Sequence, residues 1–90
     1  MSQRIYFLVH GTVQGVNFRS FTKKRATEAG ITGWVRNNDN DQVEGEAQGP
    51  PDAINQFLKH IHDGPSHARV SKLDKEERQV KEGESKFEVR

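Results

Sequence analysis

Residues 11–19 read G-T-V-Q-G-V-N-F-R, a segment that contains two glycines and ends in an arginine. Gly11 and Gly15 can adopt positive φ without a Cβ clash, so the backbone can curl until successive N–H groups point to one centre. A helix that begins near Arg19 directs its free N–H groups and its partial positive charge the same way. Arg19 adds a planar guanidinium that can contact two oxygens of one anion. This segment is therefore a candidate phosphate site.

A second candidate is Asn37, which ends the sequence G-W-V-R-N at 33–37. Each candidate also has a structural explanation when it is taken alone. Gly-x-x-x-Gly spacing occurs in ordinary turns, Arg19 can be a surface helix residue that pairs with a carboxylate, and Asn37 can form a turn before D-N-D. The individual residues leave both explanations open, and only their joint pattern favours a site.

The histidines do not suggest a metal site. His60 and His62 are two apart on a predicted helix and do not share a face, while His10 and His67 have no evident partner. The chain has no cysteine, so disulfides, a thiolate nucleophile and a cysteine-based zinc site are excluded. The sequence shows no recognisable Ser-His-Asp catalytic triad. The sequence predicts no metal and no cofactor.

Composition limits the remaining classes of protein. The chain has 90 residues, with 14 Lys and Arg against 13 Asp and Glu and a net charge of +1. This balance is unlike the strongly basic face of a dedicated nucleic-acid binder, so an anion site must be local. The N-terminus lacks the apolar stretch of a signal peptide, and no apolar run approaches membrane-spanning length. We expect one domain, residues 1–90, located in the cytoplasm and bound to neither membrane nor nucleic acid.

The first half of the chain predicts three strands and a helix. Ile5, Phe7 and Val9 alternate with other residues as in a strand, and residues 18–29 place apolar or small side chains near one helical face. Gly30 is suited to end that helix. Residues 31–38 and 43–48 predict a second and a third strand, joined by a hairpin turn at D-N-D-Q. Val35 and Asn37 point to the same face of the second strand, so Asn37 is expected near the N-terminus of the first helix.

The second half predicts a helix and two strands. Pro50 and Pro51 precede the clearest helical pattern of the chain, whose apolar residues follow at i, i+3, i+4 and i+7: Ile54, Phe57, Leu58 and Ile61. D-G-P-S at 63–66 ends this helix. Residues 68–73 predict a fourth strand whose alternation slips as at a β-bulge, and residues 72–84 a solvated strand end and loop. Phe87 and Val89 mark a short last strand.

The order β-α-β-β-α-β with an extra C-terminal strand predicts a fold class. Two right-handed crossovers place both helices on one face of an antiparallel sheet. The expected architecture is an α+β two-layer sandwich of the ferredoxin-like type.

The sequences G-x-V-Q-G-V-x-F-R at 11–19 and G-W-V-x-N at 33–37, at this separation, closely resemble those of the acylphosphatases. The resemblance covers essentially the whole chain. It implies an enzyme that hydrolyses a small-molecule acyl phosphate to a carboxylate and inorganic phosphate without metal or cofactor. It also implies a monomer, with phosphate as product or inhibitor.

The resemblance further implies the residue roles. Arg19 binds the phosphoryl group, and Asn37 positions the attacking water. The backbone N–H donors come from the loop residues Gln14, Gly15, Val16, Asn17 and Phe18.

Few groups suffice for this chemistry. The leaving carboxylate has a conjugate acid of pKa about 4, so its oxygen needs no proton from the enzyme. Phosphoryl transfer passes through a loose transition state whose charge is spread over the equatorial oxygens, so positioning and electrostatics can supply the catalysis. The neutral amide of Asn37 can hold a water without repelling the anion, as an aspartate would.

The chain departs from the family pattern next to Asn37. Asn38 stands where threonine is common, and Asp39-Asn40-Asp41 stands where the hairpin commonly has Asp-Gly. We expect Asn40 to adopt the left-handed conformation in place of glycine.

Three alternatives remain. An RNA-binding module of the same topology needs aromatic residues on the open sheet face, where Tyr6 is the only evident candidate; Trp34 is expected to be a packing residue. A carbamoyl-phosphate-handling domain of a larger maturation protein is a second alternative, against which the short chain argues. The third is a catalytically silent relative.

Overall fold

The computed structural model describes residues 2–13, 16–66 and 68–90. For Val16, it describes the backbone only. It contains seven elements in the predicted order: β1 (Gln3–Thr12), α1 (Val16–Glu28), β2 (Thr32–Asn37), β3 (Val43–Gly49), α2 (Pro51–Asp63), β4 (Arg69–Arg78) and β5 (Phe87–Val89). Two helices pack on a five-stranded sheet, so the predicted ferredoxin-like α+β fold is confirmed.

The strands lie in the order β4-β1-β3-β2-β5. β3 pairs antiparallel with β1 and with β2, and β1 pairs antiparallel with β4. β5 pairs parallel with β2, so the extra strand makes the sheet mixed where an antiparallel sheet was expected. Because β1 and β2 both run opposite to β3, their C-terminal ends lie at the same edge of the sheet. The segment that follows β1 therefore begins at the edge where β2 ends.

The sheet has a covered face and an open face. Odd-numbered residues of β1 and β3 point to the covered face, under the helices, where Phe7, Val9, Val43 and Ala47 are fully buried. Even-numbered residues point to the open face, which we define as the face opposite the helices. The four α2 residues of the predicted apolar pattern are all buried against the covered face.

Both helices end at a glycine with positive φ. Gly30 has φ 71°, and its N–H donates to the carbonyl of Thr27 over 3.1 Å, while Ile31 N–H donates to Ala26 over 2.8 Å. This is the Schellman pattern, and it confirms the prediction that Gly30 is the C′ residue that ends α1. α2 begins after Pro50 and ends before Gly64, as predicted.

β4 carries the predicted bulge. His10 pairs with Lys72 and Gly11 with Val70, so Ser71 is the extra residue on β4. Gly11 has φ 125°, and a Cβ there would overlap the carbonyl oxygen of Arg69. The strand continues to Arg78, further into the charged run than the apolar alternation extends.

The turn between β2 and β3 corrects one prediction. Asp41, with φ 60°, adopts the left-handed conformation expected of Asn40. The carbonyl of Asn38 accepts a hydrogen bond from the N–H of Asp41 over 3.2 Å, and the N–H of Asn38 donates one to the carbonyl of Gln42 over 2.8 Å. These bonds define a three-residue loop. In such a loop a type I turn is followed by the left-handed residue, so the third position takes positive φ.

Candidate active site

Those predicted site residues that the structure describes lie at one edge of the sheet. α1 begins at Val16, shortly after β1 ends at Thr12, and Asn37 is the last residue of β2. The C-terminal ends of β1 and β2 share this edge, and α1 packs over β2 and β5. The N-terminus of α1 and the side chain of Asn37 therefore lie at the same end of the molecule. Gln14 and Gly15 of the predicted loop lie outside the described residues.

The first turn of α1 is held by a buried aromatic residue. Phe18 is 2% exposed, its ring lies 6.2 Å from that of Phe21, and its carbonyl accepts a 2.9 Å hydrogen bond from Thr22. Val13, just before the loop, is also buried, whereas Asn17 is exposed. Phe18 is thus a packing residue that fixes the start of α1, and only its backbone is available to a ligand.

Arg19 follows Phe18 and is partly exposed. Its Nε is buried and has no hydrogen-bond partner among the described residues. A buried guanidinium N–H without a partner is costly, because the lost hydration is not replaced. The Nε atom of Arg19 is therefore a buried donor to which no described residue provides an acceptor.

Asn37 lies on the covered face. It pairs with Val43 in the β2–β3 ladder, as Val35 pairs with Gly45, and Val35 and Val43 are fully buried. The Oδ1 atom of Asn37 is buried and likewise has no partner among the described residues. Sequence parity placed this side chain on the helix side of β2, and the register agrees.

The side chain of Asn38 organises the neighbouring turn. Its Oδ1 accepts hydrogen bonds from the backbone N–H groups of Asn40 over 2.9 Å and Gln42 over 3.0 Å. Its Nδ2 donates to Gln42 Oε1 over 3.0 Å. Asn38 thus fixes the turn that follows Asn37.

Polar side chains that carry no sequence motif continue this network across the open face. The Nε2 of Gln42 contacts Nδ1 of His10 at 3.0 Å, and Nε2 of His10 contacts Asp74 at 2.8 Å. The sequence assigned His10 no partner, because Asp74 is distant in the chain and only the β1–β4 register brings the two together.

Glu44 and Tyr6 interact nearby on the open face. The Tyr6 hydroxyl donates to Glu44 over 2.8 Å, and Arg36 contacts the other carboxylate oxygen over 2.6 Å. Burial, the hydrogen bond to Glu44 and its negative charge raise the pKa of Tyr6 to about 12. Burial alone would raise the pKa of Glu44, but hydrogen bonds from Tyr6 and Arg36 outweigh it and hold that pKa below its ordinary value.

Trp34 also lies on the open face, which corrects the expectation that Tyr6 is the only aromatic residue there. Trp34 and Tyr6 both pair with Glu46. Arginines lie over both rings: Arg36 and Arg90 over Trp34, and Arg78 over Tyr6 at 5.0 Å. These rings are covered by guanidinium groups and flank a carboxylate, unlike the uncovered stacking surface that RNA bases need.

The described ranges contain no group of three or more His, Cys, Asp and Glu residues placed to hold a metal ion. No helix in these ranges is long and apolar enough to span a membrane.

Comparison with known proteins identifies a family. The model of the family described as Acylphosphatase matches residues 5–89. An acylphosphatase of Geobacillus thermodenitrificans is 42% identical over 87 residues, which are 97% of this chain and 93% of that protein. This sequence and the Geobacillus relative therefore align over nearly their full lengths.

Solved structures agree with this result. An acylphosphatase from Coxiella burnetii superposes with a TM-score of 0.92 at 39% identity, over 99% of this chain and 93% of that chain. Full-length HypF, solved in a phosphate- and nucleotide-bound form, superposes with a TM-score of 0.90 at 29% identity. That match covers 99% of this chain and 12% of the HypF chain.

Proposed function

The chain belongs to the acylphosphatase family and is an enzyme of that family, and from this premise we propose that Arg19 and Asn37 are its catalytic residues. Arg19 and the backbone N–H groups of residues 14–18 hold the phosphoryl group of an acyl phosphate. Asn37 holds the water that attacks phosphorus. The products are a carboxylate and inorganic phosphate.

One observation carries this proposal. Arg19 Nε and Asn37 Oδ1 are both buried without partners among the described residues, at the edge where the first turn of α1 meets the end of β2. Folded proteins satisfy nearly all buried polar atoms, so each exception needs an explanation, such as a catalytic role. A donor and an acceptor left open at one edge suit an anion and a water, respectively.

The electrostatics favour a phosphoryl group. The N-terminus of α1 contributes free N–H groups and partial positive charge, and its first turn contains no acidic residue. Arg19 adds a full positive charge within this turn. Negative charge that grows on the equatorial oxygens in the transition state is therefore stabilised by donors already in place.

The reaction then proceeds without a protein nucleophile. The Asn37 carboxamide oxygen accepts a hydrogen bond from the water. This bond directs a lone pair of the water oxygen at phosphorus, opposite the leaving carboxylate. The P–O bond to the acyl group breaks as the new P–O bond forms, and a phosphate oxygen takes the proton of the water. No general acid is needed because the carboxylate is a stable leaving group.

We propose that this chemistry is independent of metal and that residues 1–90 act as a single domain. The match over nearly the full length of the Geobacillus relative supports a role like that of the separate acylphosphatases. HypF, in which the matching part is 12% of the chain, represents the alternative of a domain within a larger protein. A monomer in the cytoplasm remains the prediction.

The test is release of phosphate from benzoyl phosphate in the presence of a chelator. We expect hydrolysis that the chelator does not change and that inorganic phosphate inhibits competitively. Loss of activity with chelator would contradict the metal-free reaction. Absence of hydrolysis in the native protein would favour a silent relative, and binding of single-stranded RNA without hydrolysis would favour the RNA-binding alternative.

A further inference from the structure

Four side chains form a continuous hydrogen-bonded network that begins beside Asn37. Asn38 Nδ2 contacts Gln42 Oε1, Gln42 Nε2 contacts His10 Nδ1, and His10 Nε2 contacts Asp74 Oδ2. We call these residues, Asn38, Gln42, His10 and Asp74, the His10 network. It joins the β2–β3 turn to β1 and, through Asp74, to β4.

The backbone fixes the direction of every hydrogen bond in this network. Two backbone N–H groups point at Asn38 Oδ1, so the amide group that faces Gln42 must be the donor Nδ2. Gln42 therefore presents Oε1 to Asn38 and its NH2 group to His10. His10 Nδ1 must then be an acceptor, which leaves the proton on Nε2 to be donated to Asp74.

This direction requires a neutral imidazole with its proton on Nε2. A proton on Nδ1 would set two donors against each other at the contact with Gln42. The carboxylate of Asp74 selects the required tautomer by accepting from Nε2. The hydrogen bond from His10 is the main cause that holds the pKa of Asp74 below its ordinary value, with a smaller contribution from Lys72 against the effect of burial.

The orientation of the Asn37 side chain depends on the backbone of the β2–β3 turn. Its Oδ1 has no partner among the described residues, so protein contacts in the described part of the chain do not orient that oxygen. The backbone on one side is held by the β2–β3 ladder, where Asn37 pairs with Val43. On the other side it is held by Asn38 and Gln42, the first pair of the turn.

We infer that the His10 network positions the side chain of Asn37, which holds the water that attacks phosphorus. His10 and Gln42 are then positioning residues that do not touch the substrate. This inference rests on the function proposed above. It also explains the departure at Asn38: an amide at this position can bind the turn backbone and Gln42 together, whereas the single hydroxyl group of threonine cannot supply the NH2 donor.

Two substitutions at position 10 separate the contacts. Asparagine Oδ1 lies at the same bond separation from Cβ as histidine Nδ1, so His10→Asn can accept from Gln42 but loses Asp74. Glutamine Nε2 corresponds to histidine Nε2, so His10→Gln can donate to Asp74 but loses Gln42. Both variants replace the ring by a neutral amide, and each is the matched control of the other.

We expect His10→Gln to lower kcat for benzoyl phosphate at least about fivefold, while the inhibition constant of phosphate stays unchanged. We expect the kcat of His10→Asn to be close to that of the native enzyme. A structural role alone would reduce thermal stability in both variants without this difference in kcat. Equal kcat in His10→Gln and the native enzyme would overturn the inference, as would a loss of kcat in both variants alike.

A second measurement does not require activity. The side-chain amide resonances of Asn37 should shift in His10→Gln and return towards their native positions in His10→Asn. Unchanged resonances in His10→Gln would overturn the positioning role. If Asn37→Ala retained full turnover while these resonances shifted as expected, the catalytic role proposed for Asn37 would fail and the structural coupling would stand.

Discussion

Asn37 lies opposite Val43 in the last pair of the β2–β3 ladder, on the face of the sheet that the helices cover. An amide in this position faces the apolar side of the sheet, where its Oδ1 is buried without a partner in the described parts of the chain. Such a position costs stability, because a buried polar atom that makes no hydrogen bond loses its hydration. The cost is understandable if a substrate-bound water completes the site.

Replacement of Asn37 should therefore separate activity from stability. We expect Asn37→Ala to lower kcat by about 10²-fold or more, since one preorganised polar contact is worth that much in comparable sites. The inhibition constant of phosphate should not change. The free energy of unfolding, measured with urea, should stay equal or rise, because an unpaired buried atom is removed. A destabilised variant that retains turnover would show that Asn37 is a structural residue.

Replacement of Arg19 should affect phosphate binding and turnover together. A charge-assisted hydrogen bond contributes about 1.5–3 kcal/mol, so Arg19→Ala should weaken phosphate inhibition by about 10- to 100-fold and also lower kcat. Arg25→Ala is the matched control, because Arg25 lies on the same helix and its Nε is also buried without a partner in the described ranges. Equal effects of the two substitutions would contradict a specific role for Arg19.

Much of this arrangement follows from local sequence patterns. The α2 pattern, the glycine that ends α1 and the parity of Asn37 each depend on short-range geometry, and the structure agrees with all three. The choice of Asp41 over Asn40 was not predictable in the same way. Both residues tolerate positive φ, and the loop length that decides between them depends on the pairing of Asn38 with Gln42.

Contacts between distant segments account for what the sequence did not predict. β4 and β5 are the two outermost strands of the sheet, so residues 79–86 must cross from one outermost strand to the other. Arg4 holds this connection by donating to Glu84 over 2.7 Å, and it also contacts Glu46. An arginine that is 2% exposed near the start of a strand has no sequence signal, because its partners come from other strands and from the crossing segment.

The Arg4–Glu84 pair predicts a pH dependence of stability. Burial alone would raise the pKa of Glu84, but hydrogen bonds from Arg4 and Thr32 and the charge of Arg4 lower it below its ordinary value. A carboxylate with a lowered pKa contributes stability above its unfolded pKa, about 4.5, and loses it as the pH falls through the folded value. We expect Glu84→Gln to cost about 1–3 kcal/mol at neutral pH in urea unfolding.

The difference between native protein and Glu84→Gln should shrink on acidification below about pH 4.5, because protonated Glu84 is neutral like glutamine. Glu82→Gln is the control, since Glu82 is an exposed carboxylate of the same connection. A difference that is constant over this range would show that the charge of Glu84 does not stabilise the fold.

Tyr6 gives a direct spectroscopic test of the open face, because it is the only tyrosine of the chain. Burial and the neighbouring Glu44 raise the pKa of Tyr6 to about 12. A raised pKa means that the neutral hydroxyl contributes stability below the unfolded value of about 10, and that this contribution is lost as the pH rises through the folded value. Ultraviolet titration of the folded protein should therefore show ionisation well above pH 10, and Glu44→Gln should move it towards 10. A native titration near 10 would mean that the Tyr6–Glu44 hydrogen bond does not persist in solution.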